Sequence, residues 1–202
     1  MDSRPVSFIT IEQGSHAEFT DRGSRFLSFA FPLPSEDAFR DRLRELRKEH
    51  AKAAHLCYAW RIGVDGARFR ASDAGEPSGS AGRPILGQLD SRSVTDAGII
   101  VVRYFGGTLL GVPGLIHAYR SAAALALQIV PLVEKPIEDL WRLDFDYTLV
   151  NEVMTVLKRH GCSLVRQEMQ LFCQFTVGIP RRSLDACLPQ LRGMYGVEMR
   201  PA

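Results

Sequence analysis

The stretch that most constrains this chain runs from Ala97 to Tyr104, and its centre reads Ile99-Ile100-Val101-Val102. Side chains of a strand alternate between two faces, so an unbroken apolar run needs cover on both. The segment is therefore expected as a strand buried inside a layered fold. It closes on Arg103 and runs directly into Phe105-Gly106-Gly107-Thr108-Leu109-Leu110-Gly111-Val112-Pro113-Gly114. A helix with an alanine-rich surface is expected from about Leu115 to Ile129. An arginine at the end of such a strand needs a carboxylate or a bound anion to offset its desolvation. Asp73 and Glu76 are the candidate carboxylates.

The rest of the chain alternates strand and helix signals. Val6–Ile11 and Arg25–Phe31 carry period-two patterning, the second with Phe26, Ser28 and Ala30 on one side and Leu27, Phe29 and Phe31 on the other. Ser35 is a candidate helix cap, followed by Phe39, Leu43 and Leu46 at helical spacing. His55–Ile62 and Arg68–Ala71 read as a hairpin around Gly63–Gly66. A loop of small residues then spans Asp73–Pro84 and leads into a short helix, Pro84–Leu89. Pro131–Pro136 reads as a linker. Beyond it come a strand (Trp141–Tyr147), a helix (Leu149–His160), two strands (Cys162–Gln170 and Leu171–Ile179), a helix (Arg181–Met194) and a last strand (Val197–Arg200). That order, β-α-β-β-α-β, is the ferredoxin-like arrangement. Pro189 is expected to kink or break the second of these helices. The fold class is α+β in two domains, residues 1–135 and 137–202.

Two glycine-rich loops each follow a strand and precede a helix. Glycines let backbone approach a ligand, and free N–H groups at a helix start can hold an anion, with Arg83 as a fork donor beside the first loop. The alternative is that the glycines only permit tight turns and close packing. Neither loop carries G-x-x-x-x-G-K-[ST] or G-x-G-x-x-G, so neither is a P-loop or a dinucleotide fingerprint. Candidate anion- or nucleic-acid-binding residues are His55, Asp73, Glu76, Ser78, Gly79, Ser80, Gly82, Arg83, Arg103, Tyr104, Gly106, Gly107, Gly111, Gly114, His117 and Tyr119. Asp73 and Glu76 suit general acid/base work, or else bond local backbone amides as turn carboxylates commonly do. No nucleophile elbow surrounds Ser78 or Ser80.

Composition narrows the functional classes. With 46% apolar and 24% charged residues, the chain is neither disordered, collagen-like nor a coiled-coil rod. The net charge is only +2, so general attraction to polyanions or membranes is not indicated. Residues 137–202 are neutral, and the whole excess lies before them. The first ten residues show no secretory pattern, and the apolar stretch near Ala122–Val133 is too short to span a bilayer. Cys57, Cys162, Cys173 and Cys187 form no C-x-x-C pair and have no histidine at zinc-ligand spacing. A cytoplasmic protein with reduced thiols, no metal and no cofactor is expected.

The segments Asp73-Ala74-Gly75-Glu76-Pro77-Ser78-Gly79-Ser80-Ala81-Gly82-Arg83-Pro84-Ile85-Leu86 and Arg103-Tyr104-Phe105-Gly106-Gly107, followed by Leu110-Gly111 and Gly114-Leu115-Ile116-His117-Ala118-Tyr119, resemble the IMPACT/YigZ family (UPF0029). Ser24-Arg25-Phe26, Ala54-His55 and Tyr58-Ala59 support the match, which covers about residues 1–135. The resemblance implies an N-terminal ribosomal protein S5 domain 2-like fold. It also implies a C-terminal domain of the DUF1949 type, similar to the last domain of elongation factor G. Eukaryotic members are translational regulators acting through a protein partner, and RNA or ribosome contact is the usual suggestion for bacterial ones. This chain departs from the family pattern at Ala74, Leu109, Pro113 and His117, where an acid, Lys, Gly and a basic residue are frequent. The implied function is translation-linked regulation or binding, with RNA, the ribosome or a translation-associated protein as partner. The alternatives are an enzyme acting on a phosphorylated small molecule and a protein–protein adaptor.

Overall fold

In the computed structural model, which describes residues 4–202, the apolar run is the middle strand of a five-stranded antiparallel sheet. The chain divides into two units, one of residues 8–135 and one of residues 136–202 with residues 4–7. The first contains β1 (Ser7–Ile11), β2 (Ser15–Asp21), β3 (Ser24–Pro32), α1 (Glu36–Glu49), β4 (His55–Ile62), β5 (Arg68–Ser72), α2 (Gly82–Ser91), β6 (Ala97–Tyr104), α3 (Gly111–Gln128) and β7 (Leu132–Pro136). Its sheet runs β2-β3-β6-β4-β5, and β1 pairs with β7 apart from it.

Both faces of β6 are covered, as its sequence demands. Ile100 and Val102 meet Phe39, Leu43 and Leu46 of α1, while Ile99 and Val101 meet Ile85 and Leu89 of α2 and Tyr119 and Ala122 of α3. A fully buried side chain of this size contributes about 2 kcal/mol. The alternation of β3 sorts as its pattern predicts: Phe26 and Ala30 face α2 and α3, and Phe29 and Phe31 face α1. Ser35 caps α1 by accepting the Ala38 N–H at 3.2 Å.

Four differences from the sequence reading have physical causes. Pro131–Pro136 is not a free linker, because Leu132–Pro136 is β7; Pro136 stands at its end, where a missing N–H is tolerated. Ser15–Asp21, for which the sequence predicts no strand, is the edge strand β2, with only Ala17 and Phe19 turned to the core. The helix α3 starts at Gly111 rather than Leu115, since Pro113 lies in the first turn, where N–H groups lack partners anyway. The proline in the last helix does not end it: that helix continues through Pro189 to Arg192.

The second unit contains β8 (Glu138–Asp146), α4 (Val150–Arg159), β9 (Ser163–Met169), β10 (Phe172–Pro180), α5 (Leu184–Arg192) and β11 (Val197–Pro201). Its antiparallel sheet runs β11-β8-β10-β9. Val153 and Leu157 of α4 and Cys187 and Leu191 of α5 share a core with Leu143, Phe145, Phe175 and Val177 of the sheet. All four cysteines are free thiols.

Candidate functional site

Arg103 finds its counter-charge in Glu76. One guanidinium N–H donates to Glu76 Oε1 at 2.7 Å, and the two side chains are only 7% and 4% exposed. The Tyr119 hydroxyl, fully buried on α3, donates to the same oxygen at 2.8 Å. Behind it, Cys57 Sγ lies 3.2 Å from the Tyr119 oxygen and 2.9 Å from the Asp73 carbonyl oxygen. Burial pushes the Cys57 thiol up to about 12, against the opposing pull of the Tyr119 hydrogen bond. Burial likewise drives the Tyr119 hydroxyl well above the ordinary phenol range. Neither group is thus a ready nucleophile or base.

His55 opens β4 beside this pair. Its Nδ1 lies 2.9 Å from the Ala74 carbonyl oxygen, which only accepts, so Nδ1 carries the proton. Its Nε2 lies 4.0 Å from Glu76 Oε1. Gly75, at φ +92°, passes so close that an added Cβ would stand 3.2 Å from His55 Nδ1.

The first glycine-rich loop is closed by its own carboxylate. Asp73 accepts the N–H groups of Gly79 at 2.8 Å, Ala81 at 2.9 Å and Gly82 at 2.8 Å. Burial alone would raise this carboxyl, but the three amides, helped by the Arg83 charge, hold it below the usual carboxylate range. The donors proposed from sequence to grip an external anion are therefore engaged, and Asp73 does not stand free as a base. Ser80 is buried and donates to the Pro77 carbonyl at 2.6 Å. Ser78 and Arg83 are exposed. Gly82 has no room for a side chain, since its Cβ would meet the Ser72 nitrogen at 2.6 Å.

The second loop stays open. Gly106 is required because a Cβ there would overlap the Gly23 backbone, and its N–H donates to Ser24 Oγ at 3.2 Å. Beyond it the chain exposes Phe105 (51%), Leu109 (83%) and Val112 (45%). These residues, with Leu110, Gly111 and Leu115, wall a cavity of about 500 Å³. His55, Glu76 and Arg103 form its polar side, so a neutral ion pair sits beneath an apolar rim. No helix-capping side chain serves the start of α3. No group of histidine, cysteine and carboxylate side chains suited to a metal ion occurs among the described residues.

The comparisons with known proteins bear on this same segment. The Impact N-terminal domain model matches residues 22–127, just over half of the chain, and includes every residue of the cavity. The chain is 32% identical over 152 residues to the IMPACT family member YvyE of Bacillus subtilis, covering 75% of this chain and 70% of that one. This chain belongs to the IMPACT family. The IMPACT family member YigZ of Escherichia coli is 31% identical over 159 residues, or 78% of each chain. A crystal structure of a hypothetical protein superposes with a TM-score of 0.76 and 26% identity, covering 98% of each chain.

Not every residue of the IMPACT-like motifs reaches the cavity. His55, Glu76, Arg103 and Gly111 line it, and Tyr119 supports its floor. Tyr104, one residue after Arg103, points to the opposite face and meets His50 Nδ1 at 2.8 Å. His117 is exposed on α3 and packs edge-on against Phe19, with ring centroids 5.9 Å apart. Gly107 adopts φ +89° in open space, and Gly114 stands against Arg22, whose guanidinium donates to the Leu110 carbonyl at 3.2 Å. The sequence reading missed Phe105, Leu109, Leu110, Val112 and Leu115 as cavity walls. Four apolar side chains in a turn-rich loop, Phe105, Leu109, Leu110 and Val112, were the available signal, since a loop without a role for them is usually polar.

Proposed function

We propose that this protein is a translation-linked regulatory or binding protein, which contacts RNA, the ribosome or a translation-associated protein through the cavity of its first unit. Membership of the IMPACT family supports the translation link, given what the sequence resemblance implies for that family. The observation that carries the site is the open cavity of about 500 Å³, with a buried neutral pair below and exposed apolar side chains at its mouth. Such a site suits recognition of a neutral, partly apolar group rather than a grip on phosphate. We favour binding over catalysis, because Asp73 is engaged by three backbone amides and Glu76 by Arg103 and Tyr119.

The finer assignments are part of this reading. We assign the first unit, residues 8–135, to the ribosomal protein S5 domain 2-like fold. Residues 137–202 are assigned to the ferredoxin-like fold of the DUF1949 type, similar to the last domain of elongation factor G. The strand order β11-β8-β10-β9 and the element order of the second unit support the latter. The cytoplasm is the proposed compartment; among the described residues no helix is long and apolar enough to cross a membrane.

Co-sedimentation with ribosomes and with ribosomal RNA over a salt series tests the proposal. Association at low salt that weakens only gently as salt rises supports it, since a chain of net charge +2 makes few phosphate contacts. Absence of association at low salt overturns it.

A further inference from the structure

We propose that the cavity between His55, Glu76, Arg103 and Phe105 receives one guanine base of an unpaired RNA strand; this rests on the RNA reading above and names what the site would read. The floor calls for a guest with hydrogen-bonding groups. Arg103 is more than nine-tenths buried, yet its Nε has no hydrogen-bond partner. Both hydrogen bonds to Glu76 fall on Oε1, so Oε2 keeps its acceptor lone pairs. A purely apolar side chain seated here would leave Glu76 Oε2 unsatisfied. A phosphate would face the Glu76 carboxylate, and the Arg103 charge that would attract it is already neutralised.

A nucleobase combines what the cavity offers, apolar faces with a polar edge. The ring of Phe105 is half exposed, and the Arg103 guanidinium lies 5.6 Å from its centroid, which holds the ring from within. Unpaired bases are commonly stacked on aromatic rings of this kind while their edges are read by hydrogen bonds. A volume of about 500 Å³ holds one base with room for ordered water.

The edge selects the base. Glu76 Oε2 is an acceptor with free lone pairs, and the Arg103 guanidinium beside it is a donor. Guanine places two donor groups, N1–H and the N2 amine, next to the O6 acceptor. Adenine and cytosine each offer a single donor group, and uracil one N–H between two carbonyls. Guanine is therefore the base whose Watson–Crick edge complements this floor.

The test uses the full chain and fluorescence anisotropy with short labelled uridine strands, which carry a central guanosine, inosine or adenosine or no purine at all. The guanosine strand should bind about ten-fold tighter than the all-uridine strand, and inosine, which lacks the N2 amine, should lose most of that gain. Phe105→Ala should reduce affinity for the guanosine strand about ten-fold, with a thermal melt checking that the variant is folded. Phe105→Trp should restore it. Guanosine monophosphate, followed by thermal shift, distinguishes a free nucleotide from a base within a strand. Equal binding of all strands overturns guanine reading and leaves RNA binding intact. A response to guanosine monophosphate with no strand bound keeps the guanine site and overturns the RNA reading. Preference for adenosine, a guanosine preference that survives Phe105→Ala, or no binding of any probe overturns the inference.

Discussion

The two glycine-rich loops share one sequence grammar, strand then glycines then helix, and the structure gives them opposite states. In Asp73–Pro84 a carboxylate folds back onto three amides, so the loop satisfies itself. In Phe105–Gly114 no side chain caps the helix start, and Leu109 and Phe105 project outward. What separates them is a single acid at the loop entrance. A loop with its own acid becomes scaffold; a loop without one, and with apolar side chains in its turns, becomes the mouth of a cavity.

Substitutions can break that contrast, and the largest effect belongs to Glu76, the first loop's contribution to the cavity floor. Glu76→Ala strands the Arg103 charge and should cost about 4 kcal/mol in urea unfolding. Asp73→Ala frees three amides at once and should cost about 3 kcal/mol by the same measurement. The contribution of Asp73 also carries a pH signature. Its folded-state carboxyl lies below the unfolded value of about 3.9, so its stabilisation is present above that value and disappears as pH falls through the folded one. Acid unfolding of Asp73→Asn should accordingly show a shallower loss over that window than the parent.

Within the second loop, Gly106→Ala must displace the Gly23 backbone and should cost about 2 kcal/mol, against about 1 kcal/mol for Gly107→Ala, where only the positive φ is strained. The smallest effect is at the rim. Leu109→Ser should alter stability by no more than about 0.5 kcal/mol, because Leu109 is 83% exposed. A large loss there would mean that the second loop is scaffold as well.

Much of this was legible in the residues. The run Ile99–Val102 announced a two-faced strand, and Arg103 at its end announced a carboxylate partner, which is Glu76. Period-two alternation also separates Arg103 from Tyr104, although both were grouped by their closeness in sequence. The capture of the first loop by Asp73 was partly legible, since an acid in a turn commonly bonds local backbone amides, but the choice of Gly79, Ala81 and Gly82 as its partners waits on the structure. β2 and β7 were the least legible strands, because they bury few side chains and carry weak patterning. Leu109 read as a lost cation; in place, it is an apolar wall.

Amide chemical-shift mapping of the full chain, titrated with ribosomal RNA fragments, tests the contrast between the loops most directly. The account predicts perturbation at His55, Phe105 and Leu109–Val112, while the amides of Gly79, Ala81 and Gly82 remain bound to Asp73 and unshifted. Perturbation centred on those three amides, with the second loop silent, would contradict it.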